Sequence, residues 1–256
     1  MKKILFSIVA ISALTLSGCK PDAAVRKAEV FDKSTTPAHS PAPENAGAIT
    51  GIMHFTGHAP ARVPIDMSMD PACSLTAAQN LSEQYIVNNG KLANVFVYVK
   101  SGAPISSAEP DARPVVLDQK NCRYVPHVIA VQQGGNVEFR NSDPAMHNIH
   151  TISAAGNPAI DVSEGPGGAP QTRQFTNPEL MMAVRCNNHP WMEAFLNVAP
   201  NQFFAVSRED GTFSITGLPP GTYTLAAVHE KLGERDMQVT VPAKSQTRAD
   251  FTFTMK

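Results

Sequence analysis

The chain has 256 residues, is 43% hydrophobic and carries a formal net charge of -1 at neutral pH. That length allows two modest domains plus non-globular ends, and the apolar content is enough to build real cores. A near-neutral chain lacks the basic face that nucleic acid requires, so nucleic acid is excluded as a partner.

At the start, Lys2 and Lys3 precede an apolar run from Ile4 to Leu16 that is too short to span a bilayer. The run ends in Leu16-Ser17-Gly18-Cys19, which resembles a bacterial lipoprotein signal. The resemblance implies cleavage after residue 18, lipidation of Cys19, and an exported protein held on a membrane and facing the periplasm or the cell exterior. Lys20 is compatible with the outer membrane. An ordinary signal peptide with a chance cysteine would also export the chain. Removing residues 1–18 takes away two lysines and moves the charge to about -3. Residues 19–46 hold that cysteine and a Pro-, Ala- and Ser-rich stretch with almost no apolar clusters. Such a stretch cannot offset its ordering entropy and is expected to be a disordered tether with a reach of roughly 30 Å.

From Ala48 onward, short apolar or alternating runs are separated by turn residues, which predicts an all-β fold. The runs fall at 48–55, 92–100, 127–132, 136–141, 147–153, 180–186 and 194–199, then at 203–207, 212–216, 222–229, 236–241 and 248–254. One short helix is expected over Leu75 to Gln84. Asp210-Gly211 marks a hairpin, and Leu218-Pro219-Pro220-Gly221 marks a sharp corner before Thr222-Tyr223. This series resembles the carboxypeptidase regulatory-like domain, a small prealbumin-like β-sandwich. The opening strands of that family have counterparts far upstream, in Gly47-Ala48-Ile49-Thr50-Gly51 and Ala93-Asn94-Val95-Phe96-Val97. Residues 203–256 alone are too few for a stable sandwich. The expectation is therefore a discontinuous domain of residues 47–103 and 203–256, with 113–200 inserted as a second domain. Two consecutive domains are the alternative.

Within 113–200, Cys186-Asn187-Asn188-His189-Pro190-Trp191-Met192 supplies a thiol, an imidazole and a thioether from one tight loop. About forty residues upstream, Asn141-Ser142-Asp143-Pro144-Ala145-Met146-His147-Asn148-Ile149-His150 supplies further imidazoles. One thiolate and two imidazoles in a near-trigonal plane, with a weak axial thioether, make a blue-copper site. The pattern resembles the cupredoxins, with the loop spacing of their amicyanin branch. The similarity extends upstream through Tyr124-Val125-Pro126 and Gly134-Gly135-Asn136-Val137-Glu138-Phe139. It implies a Greek-key β-sandwich holding one type 1 copper ion on His147, Cys186, His189 and Met192. Asn148 would bond across to the cysteine loop and fix its geometry. His150 would lie near the site without binding metal. The resemblance also implies that the loop histidine reaches the surface through an apolar docking patch, for which Ala145, Met146, Pro190 and Trp191 are the candidates. Pro178-Glu179 stands where the family has a glycine-containing turn. Zinc is the rival metal, since Cys and two His suit it as well, but it gains little from a thioether. The function implied is single-electron transfer with a redox protein such as a cytochrome or a dehydrogenase. Copper storage or delivery is one alternative, and a cell-surface module binding carbohydrate or protein is another.

Cys73 and Cys122 remain. In an oxidising compartment a disulfide is the default reading, and a second soft-metal site on Met67, Met69, Cys73, Cys122 and His127 is the alternative. His54, His58 and His229 are given no role. No Ser/His/Asp arrangement, phosphate loop or carboxylate pair falls on a plausible site, so enzymatic activity is not expected.

Overall fold

A computed structural model describes residues 43–76, 80–102 and 108–255. The signal at 1–18, the lipidation site Cys19 and the tether up to residue 42 lie outside these residues. Apart from one helix, Pro71–Thr76, every regular element described is a β-strand, and the strands form four sheets.

Two sheets enclose one core. The first runs, in spatial order, through Asp161–Glu164, His147–Ile152, Glu179–Arg185, Glu193–Ala199 and Val128–Gln132. The second runs through Gln171–Gln174, Asn136–Asn141, Val115–Gln119 and Tyr124–Val125. The strand Asn136–Asn141 shows why: Val137, Phe139 and Asn141 are buried while the residues between them are half-exposed. That alternation points one face at the opposite sheet. Leu117, Tyr124, Val137, Phe139, Phe175, Val184 and Leu196 fill the space between.

The other two sheets enclose a second core. Gly47–Thr56 pairs antiparallel with Thr212–Leu218 and parallel with Gln246–Arg248 and Phe251–Thr254. Gly51 permits this crowding, because a Cβ there would fall 1.8 Å from the Ala249 carbonyl oxygen. Facing it are Phe204–Val206, Phe96–Gly102, Gly221–His229 and Gly233–Val241. The core they share draws on Ile49, Met53 and Val97 from one part of the chain and on Phe213, Tyr223, Leu225 and Phe253 from the other. A third cluster, with Phe96, Tyr98, Phe204, Ala226 and Val228 against Ala199, joins the two pairs of sheets.

Beyond strands the sequence did not show, among them Val115–Gln119, Asp161–Glu164 and Gln171–Gln174, two features differ from the sequence expectation. Met67 and Cys73, although within 47–103, pack into the core that contains Cys186 and Met192. The helix begins at Pro71 rather than Leu75, and residues 80–84 are not helical. Asp70 sets that start, its Oδ1 accepting the Ala72 backbone N–H at 2.8 Å with proline in the first helical position.

Candidate metal centre

His147 opens the strand His147–Ile152, and Cys186 follows directly on the adjacent strand Glu179–Arg185. The antiparallel pairing of these strands, with Arg185 opposite His150, brings the end of one beside the start of the other. The chain then turns through residues 187–192 and returns as Glu193–Ala199. Met192 N–H donates to the His189 carbonyl at 2.9 Å, and Cys186 N–H to the Met192 carbonyl at 3.3 Å, which closes the loop. All four expected ligands are buried, with His147 at 0%, Met192 at 2%, His189 at 3% and Cys186 at 4% exposure.

The donor atoms converge. His147 Nδ1 lies 3.0 Å from His189 Nδ1, and Cys186 Sγ lies 3.6 Å from His189 Nδ1. An ion about 2.0–2.1 Å from each nitrogen and about 2.3 Å from the sulfur would separate these donors by about 3.0–3.7 Å. The residues present therefore fit such an ion. The tautomers fit as well. His147 Nε2–H donates to Asp143 Oδ2 at 2.9 Å, and His189 Nε2–H donates to Asp70 Oδ2 at 3.0 Å. An ionised carboxylate only accepts, so each Nε2 carries its proton and each Nδ1 is left to face the other donors.

Burial pushes the Cys186 thiol up, but hydrogen bonding with His147 and from the backbone of Asn188, Asn148 and His189 outweighs this and brings it down to about 7. Burial pushes His147 down, but Asp143 and Cys186 reverse that and hold it up at about 9. A thiol already inclined to ionise beside imidazoles is the state that metal ligation requires.

Asn148 is buried and spans the site's edge, its Oδ1 accepting from Asn187 N–H at 3.4 Å and its Nδ2 donating to Asp161 Oδ1 at 2.9 Å. His150 turns to Asn187, with Nδ1 2.9 Å from Oδ1. Glu179, at the approach to the cysteine strand, accepts hydrogen bonds from Ser153, Ala154 and Asn157. That polar clamp stands in place of a glycine turn.

Cys73 and Cys122 form a disulfide with a Cα–Cα distance of 5.6 Å. The alternative soft-metal cluster does not assemble: Met69 is 74% exposed, and His127 Nε2–H donates to Glu230 Oε1 at 2.6 Å. Two expectations about the docking patch change. Ala145 is buried at 5% and does not reach solvent, whereas Met146 and Pro190 are exposed and Trp191 is half-buried. The loop histidine does not reach the surface either. Its outer edge is covered by Asp70, by the Cys73 sulfur at 3.8 Å, and by Trp191 with ring centroids 5.0 Å apart. Trp191 is itself tied down, donating from Nε1 to the Cys122 carbonyl at 3.0 Å.

Sequence reasoning missed Asp143 and Asp70. Asp143 stands four residues before His147, and the habit of metal-bound histidines to give their second N–H to a carboxylate is a usable signal. Asn121 and Cys122, both at positive φ, direct their backbone N–H groups into its carboxylate at 2.6 and 2.7 Å. Asp70 is 119 residues from His189, and nothing in its local sequence marks it.

The fold is thus all-β and the site is a buried Cys/His₂ set with a methionine beside it. No protein-family model matches the sequence, and no curated protein matches it. Among solved structures, cupredoxins are similar to part of the chain. A reduced Cu(I) form of an amicyanin variant is 22% identical, with 40% of this chain and 97% of that one covered and a TM-score of 0.31. The purple cupredoxin from Nitrosopumilus maritimus is 19% identical, with 33% of this chain and 98% of that one covered and a TM-score of 0.28. A copper-containing nitrite reductase from Thermus scotoductus is 21% identical over 38% of this chain, at a TM-score of 0.31, and only 25% of the reductase is spanned.

Proposed function

We propose that this chain is an exported, lipid-anchored type 1 copper protein that exchanges single electrons with a redox protein. The observation that carries the reading is the convergence of His147 Nδ1, His189 Nδ1 and Cys186 Sγ inside the sheet ends. Bound there, copper would supply a one-electron couple between Cu(I) and Cu(II). His147, His189, Cys186 and Met192 would hold the ion, and the thioether of Met192 would favour copper over zinc.

The surrounding residues act by keeping that set fixed. Asp143 and Asp70 hold the imidazoles by their outer nitrogens, and Asn148 holds the cysteine loop, so little has to move when the charge changes. With all four residues buried, an ion held by them would be out of direct reach of a substrate or a copper-accepting protein. An electron needs no such opening, which favours electron transfer over metal delivery. Trp191 is the half-buried ring packed on His189, so a partner would meet Trp191, Pro190 and Met146 rather than the imidazole edge. Residues 47–103 with 203–256 would form the host sandwich that carries the copper domain above the lipid-anchored tether.

The test is to mix the copper-loaded protein with a reduced c-type cytochrome in a stopped-flow instrument, with a copper chelator present. Fast cytochrome oxidation with the copper retained is expected. Loss of copper to the chelator without electron exchange would overturn the proposal.

A further inference from the structure

Asp70 belongs to a segment remote in sequence from both ligand strands, yet it meets the metal centre directly. Its two oxygens have separate tasks. Oδ1 caps the helix Pro71–Thr76 through Ala72 N–H, and Oδ2 accepts from His189 Nε2–H at 3.0 Å. The helix cannot drift, because Cys73, three residues on, is tied to Cys122. Cys122 in turn donates its backbone N–H to Asp143, the carboxylate that holds His147. One disulfide thus joins the supports of both imidazoles.

We propose that Asp70 is a positioning residue for the metal centre, fixing the loop histidine by its outer nitrogen and covering that edge of the ring. The proposal rests on the reading of His147, Cys186, His189 and Met192 as ligands. A carboxylate on the far nitrogen makes an imidazole a stronger donor and favours the more highly charged metal state. Two such pairs, Asp143–His147 and Asp70–His189, would stabilise Cu(II) relative to Cu(I). They also lock both rings against rotation. An isolated surface ion pair would do neither, but His189 is only 3% exposed and its other nitrogen is directed into the donor set.

Two substitutions separate position from charge. Asp70→Asn retains a helix cap and an acceptor for His189 but removes the charge, and Asp70→Ser retains the cap but is too short to reach the ring. Zn²⁺ affinity by chelator competition is the primary readout, because it reports the strength of the His189 donor whether or not electrons are transferred. Asp70→Ser is expected to weaken Zn²⁺ binding about 10–100-fold, with Asp70→Asn between it and the unaltered protein. In the copper-loaded protein, Asp70→Asn is expected to keep the visible band of the original and to shift the reduction potential positive. Zn²⁺ affinity unchanged in both variants would overturn the proposal. An unaltered protein that binds Zn²⁺ but shows no copper band would contradict the electron-transfer reading, and the Zn²⁺ series would still decide the role of Asp70.

Discussion

Replacing Cys73 and Cys122 together by alanine is expected to cost about 4 kcal/mol of stability. The disulfide links positions 49 residues apart, and a cross-link of that span removes about that much loop-closure freedom from the unfolded chain. Both cysteines are fully buried in the core beneath the ligand loop, so their loss leaves a small void as well. For a chain of this size the melting temperature should fall by roughly 8–16 °C. The loss should be the same at low and high ionic strength, because the effect is not electrostatic. Thermal or denaturant unfolding of the oxidised protein and of the double variant measures it. A difference below about 1 kcal/mol would mean that the helix Pro71–Thr76 is held by its packing alone.

Glu230→Ala is expected to destabilise the chain by about 1–3 kcal/mol, the usual consequence of leaving a buried hydrogen-bond donor without its acceptor. Glu230 follows the strand Gly221–His229, and its side chain is only 1% exposed. Burial pushes its carboxyl up, but His127 and Lys231 more than reverse this and hold it below the usual range. His127 comes from the opposite side, next to the strand Val128–Gln132, and its other nitrogen donates to the Glu193 carbonyl at 3.2 Å. Glu230 therefore pins the hairpin of one pair of sheets to the edge of the other, beside the cluster of Phe96, Phe204 and Val228. With Glu230 removed, a buried N–H of His127 has lost its acceptor. Adding His127→Phe should recover part of the loss, and the two changes should be non-additive by more than about 1 kcal/mol in a double-mutant cycle. Additive effects would show that the pair does not hold the junction.

That His147, Cys186 and His189 come together was legible in the sequence because these residues are placed by local structure. Cys186, His189 and Met192 occupy a single turn, and His147 begins a strand whose partner ends at Arg185. The strands with apolar alternation, such as Asn136–Asn141 and Phe251–Thr254, were legible for the same reason. Asp161–Glu164 and Gln171–Gln174 were not. Both are polar edge strands, and their hydrogen bonding to a neighbour leaves no apolar periodicity to read. The coverage of His189 was hidden for a different reason. It depends on a contact between residues 70 and 189, made only because the 65–73 segment leaves the strands that precede it in the chain and packs under the ligand loop. A family pattern with an exposed loop histidine therefore pointed to the wrong side of the ring, and Ala145 to the wrong side of the surface.

The most direct test of the central claim is the visible spectrum of the protein reconstituted aerobically with Cu(II). An intense thiolate-to-copper charge-transfer band is predicted for the original chain, and its complete loss is predicted for Cys186→Ser, which removes the thiolate while leaving both imidazoles in place. A colourless, redox-silent complex, or a band that survives Cys186→Ser, would contradict a type 1 copper site on His147, Cys186, His189 and Met192.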